Sequence, residues 1–546
     1  MRLARREALA GLGALAGGLA LGRPAVASAP DLGLYQVIRE EGLKRSQAMV
    51  YATSLIDGVG GRLMGSPNMR RAYDWSLTRM RELGLSDPRL ESIGPFGLSW
   101  RQVGAWIRMT APDSAQFFAV ASPWSIATQG PIEAEVAAAR LDTDEDLQRV
   151  KGRLAGKIVL LGPLKARAAS EPALVRYSDA EVLRGEAADA VRAYYRTVAE
   201  RRARQGREGL FKARRNAFLA AEGVRAVVMA CGADALTVDG SELGGRPWLV
   251  SERPTFPAIC VSDGDFGRAW RLAQASRPVR LQLEIATEEG DLDEPGYNVI
   301  AEIPGQDPVL KSQVVLVGAH LDSWAGATGA ADNGAGVAAT LEAVRILRKL
   351  DLKPSRTIRV VLYGGEEQGL FGSGGYARRR LGYIPRATTP EQMALAVEGR
   401  RAKVGPLRKG AEYESFSVAF NLDGGSGRIR GVFAGGNPAL AELYRAWIAP
   451  LEDLGVMAVY DGPHWPADQS TFTEIGLPGV SFLQDPLDYN SRAHHTTLDT
   501  LERLSPDDLA QAATVLAIFL INSANAKDRA PRAMAERRAM TKVTSQ

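Results

Sequence analysis

Val314–Gly336 reads VVLVGAHLDSWAGATGAADNGAG. Its first residues form a continuous apolar run closed by glycine, the pattern of a strand buried on both faces. Its end is a Gly/Ala-rich turn that opens a helix. Between the two lie His320, Asp322 and Asp332. One imidazole and two carboxylates set beyond a buried strand are the side-chain types of a metal-assisted hydrolytic site.

Outward from this stretch, strands and helices alternate from Gly296 onward: NVIAEIP, QVVLVGAH, a helix from about Ala335 to Leu350, TIRVVLYGG, SVAFNLDGG, a helix near Pro438 to Leu454, GVSFLQDP, and a helix after Ser505. That order predicts a three-layer α/β/α domain with a mostly parallel mixed sheet. In such sheets ligands bind beyond the carboxyl ends of the strands. RVVLYGGEE brings Glu366 and Glu367 to that edge, VAFNLDGG brings Asp423, and the segment after GVSFLQDP brings His494 and His495. The chain has four histidines, and three fall in these fragments. Taken singly, each residue has an ordinary explanation: a hydrogen-bonded loop histidine, a solvated turn glutamate, an aspartate capping a helix. Taken together they are of one chemical kind at one edge. Adjacent carboxylates at a strand end are costly without a compensating cation or shared proton. Imidazole with carboxylate suits Zn²⁺, and two ions about 3.5–4 Å apart require a bridging carboxylate.

With 546 residues, more than one domain is expected. Residues 1–29 have the pattern of an export signal: a basic start, an apolar Gly/Ala/Leu run and small residues at Ala25, Ala27 and Ala29. Arg5-Arg6 before that run resembles a twin-arginine signal. Export places the mature protein in the periplasm or outside the cell. The run is too short and glycine-rich for a comfortable membrane span, so stable membrane insertion is not expected. The net charge of +4 is concentrated there, with Arg2, Arg5, Arg6 and Arg23 against Glu7. The near-neutral remainder argues against nucleic acid as a partner.

Residues 30–118 begin with helical periodicity and continue into a strand, RQVGAWIRMTAP. Residues 119–286 change character, with short strands (AEVAAA, KIVLLG, RAVVMA, PAICVS, RLQLEIA) around a charged helical excursion, Ser178 to Arg207. Its interleaved charges describe a solvated helix face. This part is expected to be an inserted β-rich domain that supplies shape and substrate contacts but no metal ligand. Cys231 and Cys260 lack zinc-ligand spacing; they are either a disulfide or two buried thiols. Residues 287–525 carry the second part of the α/β domain, and 526–546 form a basic tail expected to fray.

The strings GAHLDS, GAADNGAG, GGEEQGLFGS, NLDGG and HHTTLDT resemble, in content and order, the co-catalytic zinc exopeptidases, the family of the bacterial leucyl aminopeptidases and plasma glutamate carboxypeptidase. Residues 119–286 resemble the protease-associated insert of that family. The resemblance implies two Zn²⁺ per chain. His320 and Asp423 would hold one, Glu367 and His495 the other, and Asp332 would bridge them, often with a cis peptide after it. Glu366 would be the general base acting on the attacking water, and Asp322 would orient the His320 ring through its far nitrogen.

The expected substrate is a short peptide or dipeptide. Asp468, in HWPADQSTF, matches an acidic family position, although Gln469 follows where a histidine is often found. Tyr489 and His494 are candidates to stabilise the oxyanion. His464 is read as a loop residue and Trp324 as a packing residue. Asp468 suits a free amino terminus, which favours aminopeptidase or dipeptidase chemistry; Arg492 suits a carboxyl terminus and a carboxypeptidase. A metal-free binding homologue is the reading from another class, and the complete ligand set weighs against it. A two-metal phosphatase or deacylase is compatible with the same ligand chemistry. A homodimer is left open.

Overall fold

Alternate residues of strand Val314–His320 enter two different cores. Val315, Val317 and Ala319 pack with Val337, Leu341 and Val344 of helix Ala335–Lys349 and with Leu516 and Phe519 of helix Pro506–Asn525. Val314 and Leu316 pack on the opposite face with Tyr376, Phe416 and Phe472. The continuous apolar run thus follows from burial on both faces of one strand, and helices on each side make the three layers. The computed structural model describes residues 30–162, 174–393, 401–462 and 466–532.

Among the described residues the first sheet has eight strands, in the order Ser86–Gly97, Glu294–Ile303, Thr357–Tyr363, Val314–His320, Phe416–Asn421, Gly479–Gln484, Ile429–Phe433 and Ala458–Tyr460. The four central strands, Thr357–Tyr363 through Gly479–Gln484, are mutually parallel. Antiparallel strands flank them on either side. Their carboxyl ends therefore open on a single edge. Helix Pro506–Asn525, nearly buried along its length, starts where Ser505 Oγ accepts the Asp508 N–H at 3.4 Å and Pro506 fills the first turn.

A second sheet, of eight strands among the described residues, lies, in sequence, between two neighbouring strands of the first. It includes Trp100–Ala111, which pairs antiparallel with Arg280–Glu289. The division between the sheets therefore falls at Leu98–Ser99, not at residue 118. A strand motif shows that a strand exists, but only its partner shows to which sheet it belongs. Cys231 and Cys260 form a disulfide, with Cα atoms 5.5 Å apart, at the ends of adjacent parallel strands. Where a helical excursion from Ser178 to Arg207 is expected, helices Asp179–Arg184 and Glu186–Ala221 run on past Arg207.

The start of the basic tail is pinned rather than frayed: Ser417 Oγ accepts the Ala530 N–H, and Arg532 donates to the Tyr413 carbonyl. The export-signal residues 1–29, His464 and residues 533–546 lie outside the described residues. No helix among the described residues is long and apolar enough to cross a membrane.

Candidate metal centre

His320 is the last residue of its strand, fully buried. Its Nε2 lies 3.1 Å from Asp332 Oδ1 and 3.9 Å from Asp423 Oδ2. Asp332 and Asp423 meet because Asn333 joins their loops: its side-chain amide donates to the Leu422 carbonyl at 2.9 Å, and its Oδ1 accepts the Gly336 N–H at 3.0 Å. The Asp332–Asn333 peptide is cis. On the far side of Asp332, His495 Nε2 lies 3.4 Å from Asp332 Oδ2 and 2.8 Å from Glu367 Oε2. The His494 ring stacks on that of His495 with centroids 3.9 Å apart, and its Nε2 lies 3.8 Å from Asp332 Oδ2.

Glu366 and Glu367 follow a turn at Gly365, whose φ of +75° favours glycine. The turn aims both following amides at the Asp322 carboxylate, which accepts them at 3.1 and 3.2 Å. The His320 Nδ1 partner is the Asp322 backbone carbonyl at 3.0 Å, with the carboxylate 3.7 Å away. Trp324 also does more than pack: its indole N–H donates to Glu367 Oε2 at 2.8 Å.

The electrostatics are those of a site short of positive charge. Burial opposes a charged His320 ring, but Asp322, Asp332 and Asp423 outweigh it and hold its pKa well above the usual range. Burial opposes charge on Asp332 too, and His320, His494 and His495 outweigh that, holding it low. Burial pushes Asp423 up to about 7 and raises Glu367, whose neighbour Asp332 adds to the effect. Burial likewise pushes Glu366 well up, with Asp423, Glu367 and Asp468 adding to it against His320.

A cation fits this arrangement. Asp332 Oδ2 and Glu367 Oε1 are buried without a hydrogen-bond partner among the described residues. Ligand atoms of His320, Asp332 and Glu367 lie within 4.8 Å of one another, as do those of Asp332, His494 and His495. Asp332 is common to both groups, which suits a bridging carboxylate.

The candidate substrate residues are distributed differently. Asp468 begins helix Asp468–Glu474 with no exposed surface, and burial pushes it up to about 7. Gln469 Oε1 accepts from the Asn421 side-chain amide at 2.7 Å, tying that helix to a strand end. Tyr489 is buried, its ring 5.0 Å from that of His494. Arg492 is exposed on the turn that leads to His494.

Other residues reach the site without being singled out in the sequence. Asp499 accepts the backbone N–H groups of Ala331 and Asp332 at 2.6 and 3.1 Å. It lies within the string HHTTLDT, so an acidic residue was there to be noticed. Arg62 is fully buried and donates to the carbonyls of Leu321, Gly60, Thr328 and Gly329. Burial pulls its pKa down to about 10 against the pull of Asp499, Asp322 and Asp332. From within 119–286, Tyr194 bonds His494 Nδ1 at 2.9 Å and Asp239 Oδ2 lies 3.6 Å from His495 Nδ1. No local pattern marks either.

An α/β sheet that gathers imidazoles and carboxylates beyond parallel strand ends is the frame of the co-catalytic zinc exopeptidases. Residues 298–520 match Peptidase family M28. A carboxypeptidase Q from Bos taurus is 29% identical over 282 residues, 51% of this chain and 52% of the bovine protein. The chain thus spans about half the length of the curated relatives it matches. A solved peptidase M28 precursor from Shewanella amazonensis SB2B shares 27% identity at a TM-score of 0.62, covering 91% of this chain and 98% of that one. BSAP, a zinc aminopeptidase from Bacillus subtilis, shares the fold at a TM-score of 0.52 and 18% identity, covering 88% and 96%.

Proposed function

We infer that the protein is an exported metallo-exopeptidase that hydrolyses terminal peptide bonds of short peptides or dipeptides. The observation that carries this is the bridging position of Asp332, between His320 on one side and His495 with Glu367 on the other. His320, Asp332 and Asp423 would hold one Zn²⁺, and Asp332, Glu367 and His495 a second. Bound there, the ions would polarise the scissile carbonyl and acidify the attacking water.

Glu366 is the only one of the two adjacent glutamates left for proton transfer in this assignment. Its raised pKa suits a base that takes the water proton and delivers it to the leaving amine as the C–N bond breaks. Asp322 fixes where that base stands, through the amide of Glu366. His494, held at Nδ1 by Tyr194, and Tyr489, whose ring lies beside it, would stabilise the oxyanion.

Asp468, a carboxylate near Glu366 that holds no ion in this assignment, supports a free amino terminus in the pocket, hence an aminopeptidase or dipeptidase. A carboxypeptidase is the second reading, supported by the exposed Arg492 and by the carboxypeptidase Q relatives. Residues 1–29 support export by their sequence pattern, and the disulfide fits an oxidising compartment. The second sheet is assigned as a protease-associated insert.

The test uses mature protein of measured metal content and one dipeptide in free, N-acetylated and C-amidated forms. Loss of hydrolysis on acetylation alone identifies an aminopeptidase, loss on amidation alone a carboxypeptidase, and loss on both a dipeptidase. A protein that binds no metal and cleaves none of the three, even with zinc restored, refutes the reading.

A further inference from the structure

We propose that the inserted unit completes the metal site: Asp239, at the end of a segment anchored by the Cys231–Cys260 disulfide, is a positioning residue for His495. The inference rests on the metal site proposed above.

His495 has φ +57°, the left-handed region that a non-glycine residue occupies only under strain. Something must hold it there, and the contacts that do so come from the insert. Val238 N–H donates to the His495 carbonyl at 2.9 Å. Thr237 and Thr496 form an isolated antiparallel bridge. Leu236 and Thr497 exchange two further bonds: Leu236 N–H to Thr497 Oγ1 at 3.1 Å and Thr497 N–H to the Leu236 carbonyl at 2.9 Å. The segment is itself tied back, with Thr237 N–H donating to the Cys231 carbonyl at 2.8 Å.

Asp239 is the next residue of that segment. Its Oδ1 accepts the Ser241 N–H at 3.0 Å, which fixes the carboxylate. Its Oδ2 faces His495 Nδ1 at 3.6 Å, just beyond hydrogen-bond length. That Nδ1 is buried and has no hydrogen-bond partner among the described residues. The opposite ring nitrogen, Nε2, is the one that faces Asp332 and Glu367. A carboxylate behind the far nitrogen of a metal-facing imidazole sets its tautomer and orientation and increases its basicity as a ligand. In this chain that carboxylate comes from the insert, more than two hundred residues upstream of the histidine.

The experiment titrates full-length, metal-free protein with zinc and then measures release of each ion to a chromogenic chelator. Wild type is expected to bind two ions. Asp239→Ala is expected to release one of them about 10- to 100-fold faster, the other at the wild-type rate. Asp239→Asn, which keeps an acceptor oxygen, is expected between the two. Urea unfolding of the metal-free proteins separates positioning from folding, and the proposal expects equal midpoints. Wild-type release of both ions from Asp239→Ala overturns the inference alone. So does equal acceleration of both ions together with a lowered metal-free midpoint. A wild type that binds no divalent ion overturns the proposed function itself.

Discussion

The Asp322 carboxylate accepts the backbone N–H of Glu366 at 3.1 Å, and its other oxygen accepts that of Glu367 at 3.2 Å. One fully buried side chain from the loop after Val314–His320 thus fixes two residues after the neighbouring strand. Asp322→Asn retains a single acceptor oxygen and sets an amide N–H against one backbone N–H. Turnover is expected to fall about 10- to 100-fold, because the base and a ligand both shift. Steady-state kinetics alongside metal analysis check this, and an unchanged kcat would count against the positioning role.

Glu366→Gln removes the proposed base while preserving side-chain shape. General-base removal costs about 10²–10⁴ in rate. The expected variant is folded and retains wild-type metal content with kcat lowered by that factor. Substantial turnover in such a protein would sink the mechanism.

Metal loading is expected to depend on pH in a defined direction. In the metal-free protein, burial pushes Asp423 up to about 7. The charge and hydrogen bond of Glu367, with Asp239 and Asp332, outweigh burial and hold His495 up at about 10. Both must lose protons to bind a cation. Apparent zinc affinity therefore falls as pH drops below about 7 and is still rising above it. Near neutral pH, loading releases protons, mainly from His495. Calorimetry in two buffers of different ionisation enthalpy reads the proton count; identical heats would contradict it. The same linkage applies to folding. A carboxyl with a raised native pKa stabilises the fold below its unfolded value and loses that contribution as pH rises through the native one. For Asp423 that window runs from the ordinary aspartate range up to about 7. The difference in melting temperature between loaded and metal-free protein is thus expected to widen with pH across it.

Arg62 satisfies four carbonyls from the turn before it and from the loop after His320. Arg62→Met fills similar volume but leaves those oxygens buried and removes a cation that attracts Asp499, Asp322 and Asp332. Removing one member of such a buried charged network costs roughly 3–5 kcal/mol. Urea unfolding of the metal-free protein checks the figure, and a loss below about 1 kcal/mol would show that water replaces the guanidinium.

Much of the site was legible because its chemistry is local. His320, Asp322, Glu366, Glu367 and Asp423 each lie within four residues of the end of a buried strand, and an apolar run broken by glycine marks such an end. Parallel strands then bring those ends together without further instruction from side chains. Trp324 and Asp499 were in plain view and misjudged or passed over. An indole in a loop and an acid in a turn have ordinary uses, and only the distances to Glu367 and to the Asp332 amide separate those uses from this one.

By itself, the sequence determined the α/β frame, the edge at which it opens and the side-chain types gathered there, since periodicity and strand-end composition are properties of short segments. Tertiary structure decided what joins distant segments. It set the sheet division at Leu98–Ser99, the Cys231–Cys260 pairing, the carbonyls that Arg62 satisfies, and the approach of Tyr194 and Asp239 to the paired histidines. Those contacts are made by strand registry and packing between parts of the chain far apart in sequence. Neither leaves a trace in the spacing of residues along it.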